Sequence, residues 1–209
     1  QVSVWFADDQ IREQATIGGN LVNASPAGDG APAFLTLNAE VIIKGRKDNS
    51  IYERKVNLEN FILGRNKVDL HDNEIVTALE MDNVSGYGAS FEKVGHRRSL
   101  VISTICVSCV LKTDVTGKYF EDVRIAVAGV REVPCRLTKT EKFLEGKEIN
   151  EDHILQASQL ELDVINSRSR QEYRKEVLQN FIIRSIIKSI DGKVSLKEKY
   201  FDNHKASIT

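Results

Sequence analysis

Cysteine is scarce in this chain of 209 residues, which holds three. A small odd number cannot staple a disulfide scaffold, so reduced thiols in an intracellular, cytoplasmic protein are expected. The four histidines (His71, His96, His153, His204) show no metal-ligand spacing, and no metal site is expected. No sign of charge is in surplus: 29 Lys+Arg face 30 Asp+Glu, for a net charge of −1. That removes the electrostatic case for a nucleic-acid partner, because neutralising phosphates takes an excess of Lys and Arg. No apolar run approaches the roughly 18 residues of a membrane-spanning helix. The start of the chain lacks the charged and apolar regions of a signal peptide. It opens on Gln1, and its sharpest motif comes almost at once, so it is expected to begin inside a domain.

What is present is a globular composition, 41% hydrophobic and 28% charged, in a length that suits one large or two small domains. Residues 8–14 read as a short helix, with Asp8 and Asp9 at its N-terminus and Ile11 as its apolar anchor. The stretch Thr16-Ile17-Gly18-Gly19-Asn20 breaks it, and residues 23–32 predict a tight loop. Pro32 opens a helix to about Leu37. Short strands follow at 40–44, 51–56, 61–64 and 74–81. In the last, Ile75, Thr77, Leu79 and Met81 alternate with Glu74, Val76, Ala78 and Glu80.

A second block starts near Val84. Strands at 86–94, 100–111 and 122–130 predict a three-stranded antiparallel meander. Helices follow at 137–144, stopped by Gly146, and from an Asn150 cap to about 165. In the last helix, 171–190, Tyr173, Val177, Leu178, Phe181, Ile182, Ile186 and Ile187 recur at helical spacing. The fold class is α+β: a small mixed sheet with helices over 1–83, then a three-stranded antiparallel sheet packed with helices over 84–190. Residues 191–209 form a polar tail. Cys106 and Cys109, three apart on a strand, face opposite sides and read as small buried hydrophobes. Arg97 and Arg98 make a small basic cluster with His96, and Trp5 and Phe6 an apolar start to the chain.

The chemistry concentrates in residues 16–29. Adjacent glycines permit positive φ and a close ligand, so amides around Gly18, Gly19 and Asn20 can form a nest for a pyrophosphate. Thr16, Asn23 and Ser25 add uncharged donors, and Asp29 can accept from sugar or ribityl hydroxyls. The competing reading is a plain turn-rich connection. Neither GxGxxG nor GxxxxGK[ST] is present.

The stretch QIREQATIGGNLVNASPAGDGAPAFLTLNAEVII closely resembles the flavin-binding subunit or domain of the xanthine dehydrogenase (molybdenum hydroxylase) family. That family includes carbon monoxide dehydrogenase, nicotinate dehydrogenase and aldehyde oxidase relatives. HDNEIVTALEM, FEKVGHRRSLVIS, RIAVAGVREVPCRLTKTEKFLEGK and ELDVINSRSRQEYRK agree in order, from about Phe6 to Ile190. The resemblance implies an FAD site and makes 1–83 the second lobe of a split FAD-binding domain. Thr16, Ile17, Gly18, Gly19 and Asn20 would hold the pyrophosphate. Asn23 matches a small polar donor, Asp29 the acid on the cofactor's hydroxyls, Val76 an aliphatic position beside it, and Lys93 a base near the flavin ring. Apart from the resemblance, Lys93 reads as a solvated surface lysine.

No catalytic side chain is implied. Molybdopterin would belong to a large partner subunit and [2Fe–2S] clusters to a small one, with electrons passing through FAD to NAD or another acceptor. The alternative is a non-catalytic assembly subunit that has lost flavin. The family's first glycine-rich loop has no match in residues 1–15, so this chain alone is expected to bind FAD weakly and to be inactive. Residues 28–32 carry no inserted cysteine loop, which sets the chain apart from the aryl-CoA reductase branch.

Overall fold

The mostly apolar stretch 100–111 gives rise to a central strand. In the computed structural model, which describes residues 2, 6–96, 102–166 and 169–190, that strand is Ser103–Thr113 and is buried on both faces along most of its length. It is β7 of nine strands among the described residues, and one element order contains everything that positions the site.

Helix α1 (Asp9–Gln14) is capped by Asp8, whose carboxylate accepts from the Ile11 amide at 2.9 Å. Ile11 is 46% exposed rather than the buried anchor expected from sequence. Helices α2 (Ile17–Val22) and α3 (Gly30–Thr36) follow, with Pro32 inside the first turn of α3. Strands β1 (Glu40–Lys47), β2 (Ser50–Asn57) and β5 (Glu74–Glu80) form an antiparallel sheet in the order β2-β1-β5. Between them lie a single helical turn, α4 (Leu58–Phe61), and the hairpin of β3 (Ile62–Gly64) with β4 (Lys67–Val68).

The alternation expected along β5 is interrupted. Ile42 pairs with Ala78 but Ile43 pairs with Val76, so Thr77 is an extra residue on β5. A one-residue bulge exchanges faces. Val76 and Leu79 therefore both pack on the core, while Ile75 is 65% exposed.

The second sheet has the order β6-β7-β8-β9, from β6 (Gly88–Gly95), β7, β8 (Phe120–Ala128) and the two-residue β9 (Cys135–Arg136). The expected meander of three strands is there, with β9 added at its edge. One face of it packs on α5 (Thr138–Leu144), α6 (Glu151–Gln159), a 3₁₀ turn (Leu162–Val164) and α7 (Gln171–Ser189). The helix capped by Asn150 thus ends at Gln159, short of the expected 165. On α7, Leu178, Phe181, Ile182 and Ile186 are buried as their spacing predicts, but Tyr173 is exposed.

The other face of the sheet carries Phe91, Val110 and the smaller Cys106, Ser108, Ala126 and Ala128, and α3 packs against β7 and β8 there. Ala126 of β8 belongs to the core of the first part, and Thr36 of α3 meets Ser108 of β7 hydroxyl to hydroxyl at 3.2 Å. Arg136 adds bonds to Leu35 O at 3.2 Å and Asn38 Oδ1 at 2.7 Å. The two parts of the chain are therefore joined along a buried seam, and both faces of β7 are covered. Trp5, Arg97, Arg98 and residues 191–209 lie outside the described residues.

Candidate functional site

The glycine pair does not form the expected nest. Gly18 and Gly19 lie in the right-handed first turn of α2, and neither has positive φ. Thr16 is the cap: its hydroxyl accepts from the Gly19 amide at 2.9 Å, and its carbonyl accepts from Asn20 N at 3.0 Å. The Ile17 and Gly18 amides begin the helix and have no intrahelical acceptor. Glycine serves here as a lack of bulk. A Cβ on Gly19 would meet Thr16 Oγ1 at 2.9 Å, and one on Gly18 would touch Val76 Cγ1 at 3.8 Å.

Beside this turn lies a cavity of about 430 Å³. Arg12, Thr16, Ile17 and Asn20 line it together with Gly30 and Phe34 of α3, and apolar residues of the chain's start complete it. The Arg12 guanidinium is tied to Phe6 O at 2.6 Å and Ala7 O at 3.1 Å. Asn20 connects the turn to the loop before α3, because its Oδ1 fills the space a Cβ on Gly30 would need, 2.5 Å away.

Asp29 directly precedes Gly30 and is 5% exposed. Its carboxylate accepts from Lys93 Nζ and from Ser103 Oγ, both on the second sheet. Lys93 has a side chain only 3% exposed, so it is not the solvated surface lysine that composition suggests. Val76 from β5, the Thr16–Asn20 turn and the Asp29–Lys93 pair thus come together around the start of α3. Asn23 does not join them: it is exposed at the end of α2, and its carbonyl accepts from Asn66 Nδ2 at 2.8 Å. Ser103, Arg12 and Phe34 were not singled out from sequence. Ser103 sits in a run whose apolar character hides it.

The donor set fits a dinucleotide cofactor. The cavity sets the uncharged polar groups of Thr16 and Asn20 and the Arg12 side chain among apolar residues, which suits a ligand with an anionic group and an apolar ring, and the buried Asp29 carboxylate beside Gly30 can accept hydroxyls. The three cysteines are free, buried thiols. Cys106 and Cys109 are fully buried on opposite faces of β7, and burial pushes the Cys109 thiol up to about 12 and Cys135 up to about 11. Among the described residues no group of three His, Cys, Asp or Glu could hold a metal, and no helix is long and apolar enough to cross a membrane.

Comparison with known proteins shows which families this chain resembles. Residues 1–81 match the family described as FAD binding domain in molybdopterin dehydrogenase, and residues 90–189 match the CO dehydrogenase flavoprotein C-terminal domain. The chain is 30% identical over 179 residues to the glyceraldehyde dehydrogenase medium chain of Sulfolobus acidocaldarius, covering 83% of this chain and 61% of that one. It is 37% identical over 112 residues to the nicotinate dehydrogenase FAD-subunit of Eubacterium barkeri, covering 52% and 36%. The chain therefore spans about three fifths of the archaeal relative's length. In fold it is similar to the carbon monoxide dehydrogenase of Hydrogenophaga pseudoflava, with a TM-score of 0.81 at 21% identity over 90% of this chain and 64% of that one. The reconstituted CO dehydrogenase of Oligotropha carboxidovorans gives 0.82 at 24%, over 91% and 66%.

Proposed function

The chain belongs to the flavoprotein family of the molybdenum hydroxylases, and from that premise we propose that it binds FAD and relays electrons within such an enzyme. Substrate would be oxidised at a molybdenum cofactor on a large partner subunit. Electrons would come through [2Fe–2S] clusters on a small partner subunit and leave for NAD or another acceptor. The cytoplasm is the proposed compartment, which suits three free, buried thiols.

The observation that carries the reading is the meeting of the Thr16-capped turn, Val76 and the buried Asp29–Lys93 pair around the start of α3. Bound FAD would supply a carrier between one-electron clusters and a two-electron acceptor. The chain's own work is binding and tuning. The Ile17 and Gly18 amides, the Thr16 hydroxyl and the Asn20 side-chain amide present uncharged donors to the pyrophosphate, and Gly19 leaves the space that the Thr16 cap needs. Asp29 accepts from a cofactor hydroxyl. Val76 keeps the glycine turn close to β5, and Lys93 sets the local charge. That charge is offset by Asp29, so the ring would sense an ion pair rather than a bare ammonium. No side chain is assigned as nucleophile or general base.

The test uses the full-length protein isolated with its partner subunits. A yellow complex that releases FAD on denaturation supports the reading. Gly19→Val should then give an assembled but flavin-poor complex, because the added Cβ displaces the Thr16 cap. A colourless wild-type complex would favour an assembly-only subunit, and a Gly19→Val complex with full flavin would remove the turn from the site.

A further inference from the structure

Ser103 stands on the Asp29 side of the second sheet because of a bulge. Along β6 and β7, Lys93 pairs with Cys106 and Val94 with Ile105, but Gly95 pairs with Ser103. Thr104 is therefore an extra residue on β7. In an unbroken register Ser103 would share the face of Ile105 and Val107, which packs on α7. The bulge moves it to the face of Lys93, and bulges re-aim side chains in this way next to functional sites.

The bulge is itself held. Arg174 of α7 donates through Nη1 to both Thr104 O and Gly129 O. Thr104 Oγ1 lies 3.2 Å from His96 Nε2. Gly129, at φ 84°, lets its segment approach the β7 backbone closely: a Cβ there would meet Thr104 O at 2.4 Å. Gly129 N donates to Pro26 O at 2.8 Å, which fixes the loop that carries Asp29. One set of contacts thus places the bulge and the loop relative to each other.

We infer that Ser103 is a positioning residue for the cofactor, fixing the plane of the Asp29 carboxylate so that its remaining lone pairs meet a cofactor hydroxyl. Lys93 alone cannot do this. An ammonium is a rotatable point charge, and the last torsion of an aspartate is broad. Two donors on two different oxygens define the plane, Ser103 on Oδ1 and Lys93 on Oδ2. A carboxylate offers about four lone-pair sites, so two such bonds leave room for a ligand.

This rests on the FAD reading, and the test separates the two. FAD affinity and flavin reduction potential are measured on the full-length complex carrying Ser103→Ala, Ser103→Thr or Ser103→Val. Loss of the hydroxyl in Ser103→Ala should weaken FAD binding about tenfold, as expected for a bond to a charged group, and shift the potential. Ser103→Thr should restore both. Thr and Val share a shape, so that pair isolates the hydroxyl even if Ser103→Ala fails to fold. Ser103→Val matching Ser103→Thr in affinity and potential overturns the inference alone. A wild-type complex that takes up no FAD overturns it together with the reading beneath it.

Discussion

Lys93 and Asp29, 64 residues apart in sequence, form a buried ion pair across the seam between the two parts of the chain. Removing one partner strands a charge in a buried site. Lys93→Met should therefore lower stability by about 3–5 kcal/mol. Asp29→Asn combined with Lys93→Met should lose less than the sum of the single changes. Urea unfolding of the four proteins checks this, and additivity would mean that the pair does not interact.

Two glycines should respond oppositely to the same change. A Cβ on Gly88 would lie 1.6 Å from the Ser189 carbonyl oxygen, a backbone atom at the end of α7. Gly88→Ala should cost roughly 3 kcal/mol or more by overpacking. A Cβ on Gly30 is too close only to the end of the Asn20 side chain, which can swing away, and meets Phe34 at an ordinary 3.8 Å. Gly30→Ala should leave the melting temperature nearly unchanged but weaken FAD binding by displacing Asn20. Melting curves alongside flavin titration separate the two outcomes.

Acid should act through Glu74. Its carboxylate is held by Arg54 at 2.7 and 2.8 Å, by the His71 amide at 2.9 Å and by Tyr52 at 3.0 Å, and these bonds, Arg54 foremost, lower it from 4.5 to about 2. A carboxyl lowered in the folded state adds stability above its unfolded value, and that contribution is lost as pH falls from about 4.5 toward 2. Glu74→Gln should flatten the pH dependence of unfolding in that window. An unchanged acid limb would show that Glu74 contributes nothing there.

The thiols should be silent until the protein unfolds. Cys106, Cys109 and Cys135 are buried, free and raised above the ordinary thiol range by burial. At pH 8 alkylation should label none of the three in the native protein and all of them in denaturant. Mass spectrometry counts the labels, and rapid native labelling of Cys106 or Cys109 would contradict the buried β7.

What sequence revealed and hid follows from the range of each signal. The Asp8 and Asn150 caps and the α7 periodicity are local, and the structure keeps them. The mostly apolar stretch 100–111 reads as a strand, and β7 forms there, at Ser103–Thr113. The bulges at Thr77 and Thr104 depend on the partner strand, so simple alternation misplaces Ile75 and conceals Ser103. The Gly18-Gly19 pair reads as a turn by propensity, yet the Thr16 cap and packing on Val76 hold it helical. Asp29 and Lys93 could be linked in advance only through the family resemblance, since nothing local in either one points to the other.

The most direct test is the flavin content of the full-length protein purified with its natural partners. Denaturation followed by chromatography of the released small molecules should yield FAD in stoichiometric amount to this chain. A folded, fully assembled complex that releases no flavin, and takes none up when FAD is added, would contradict the account.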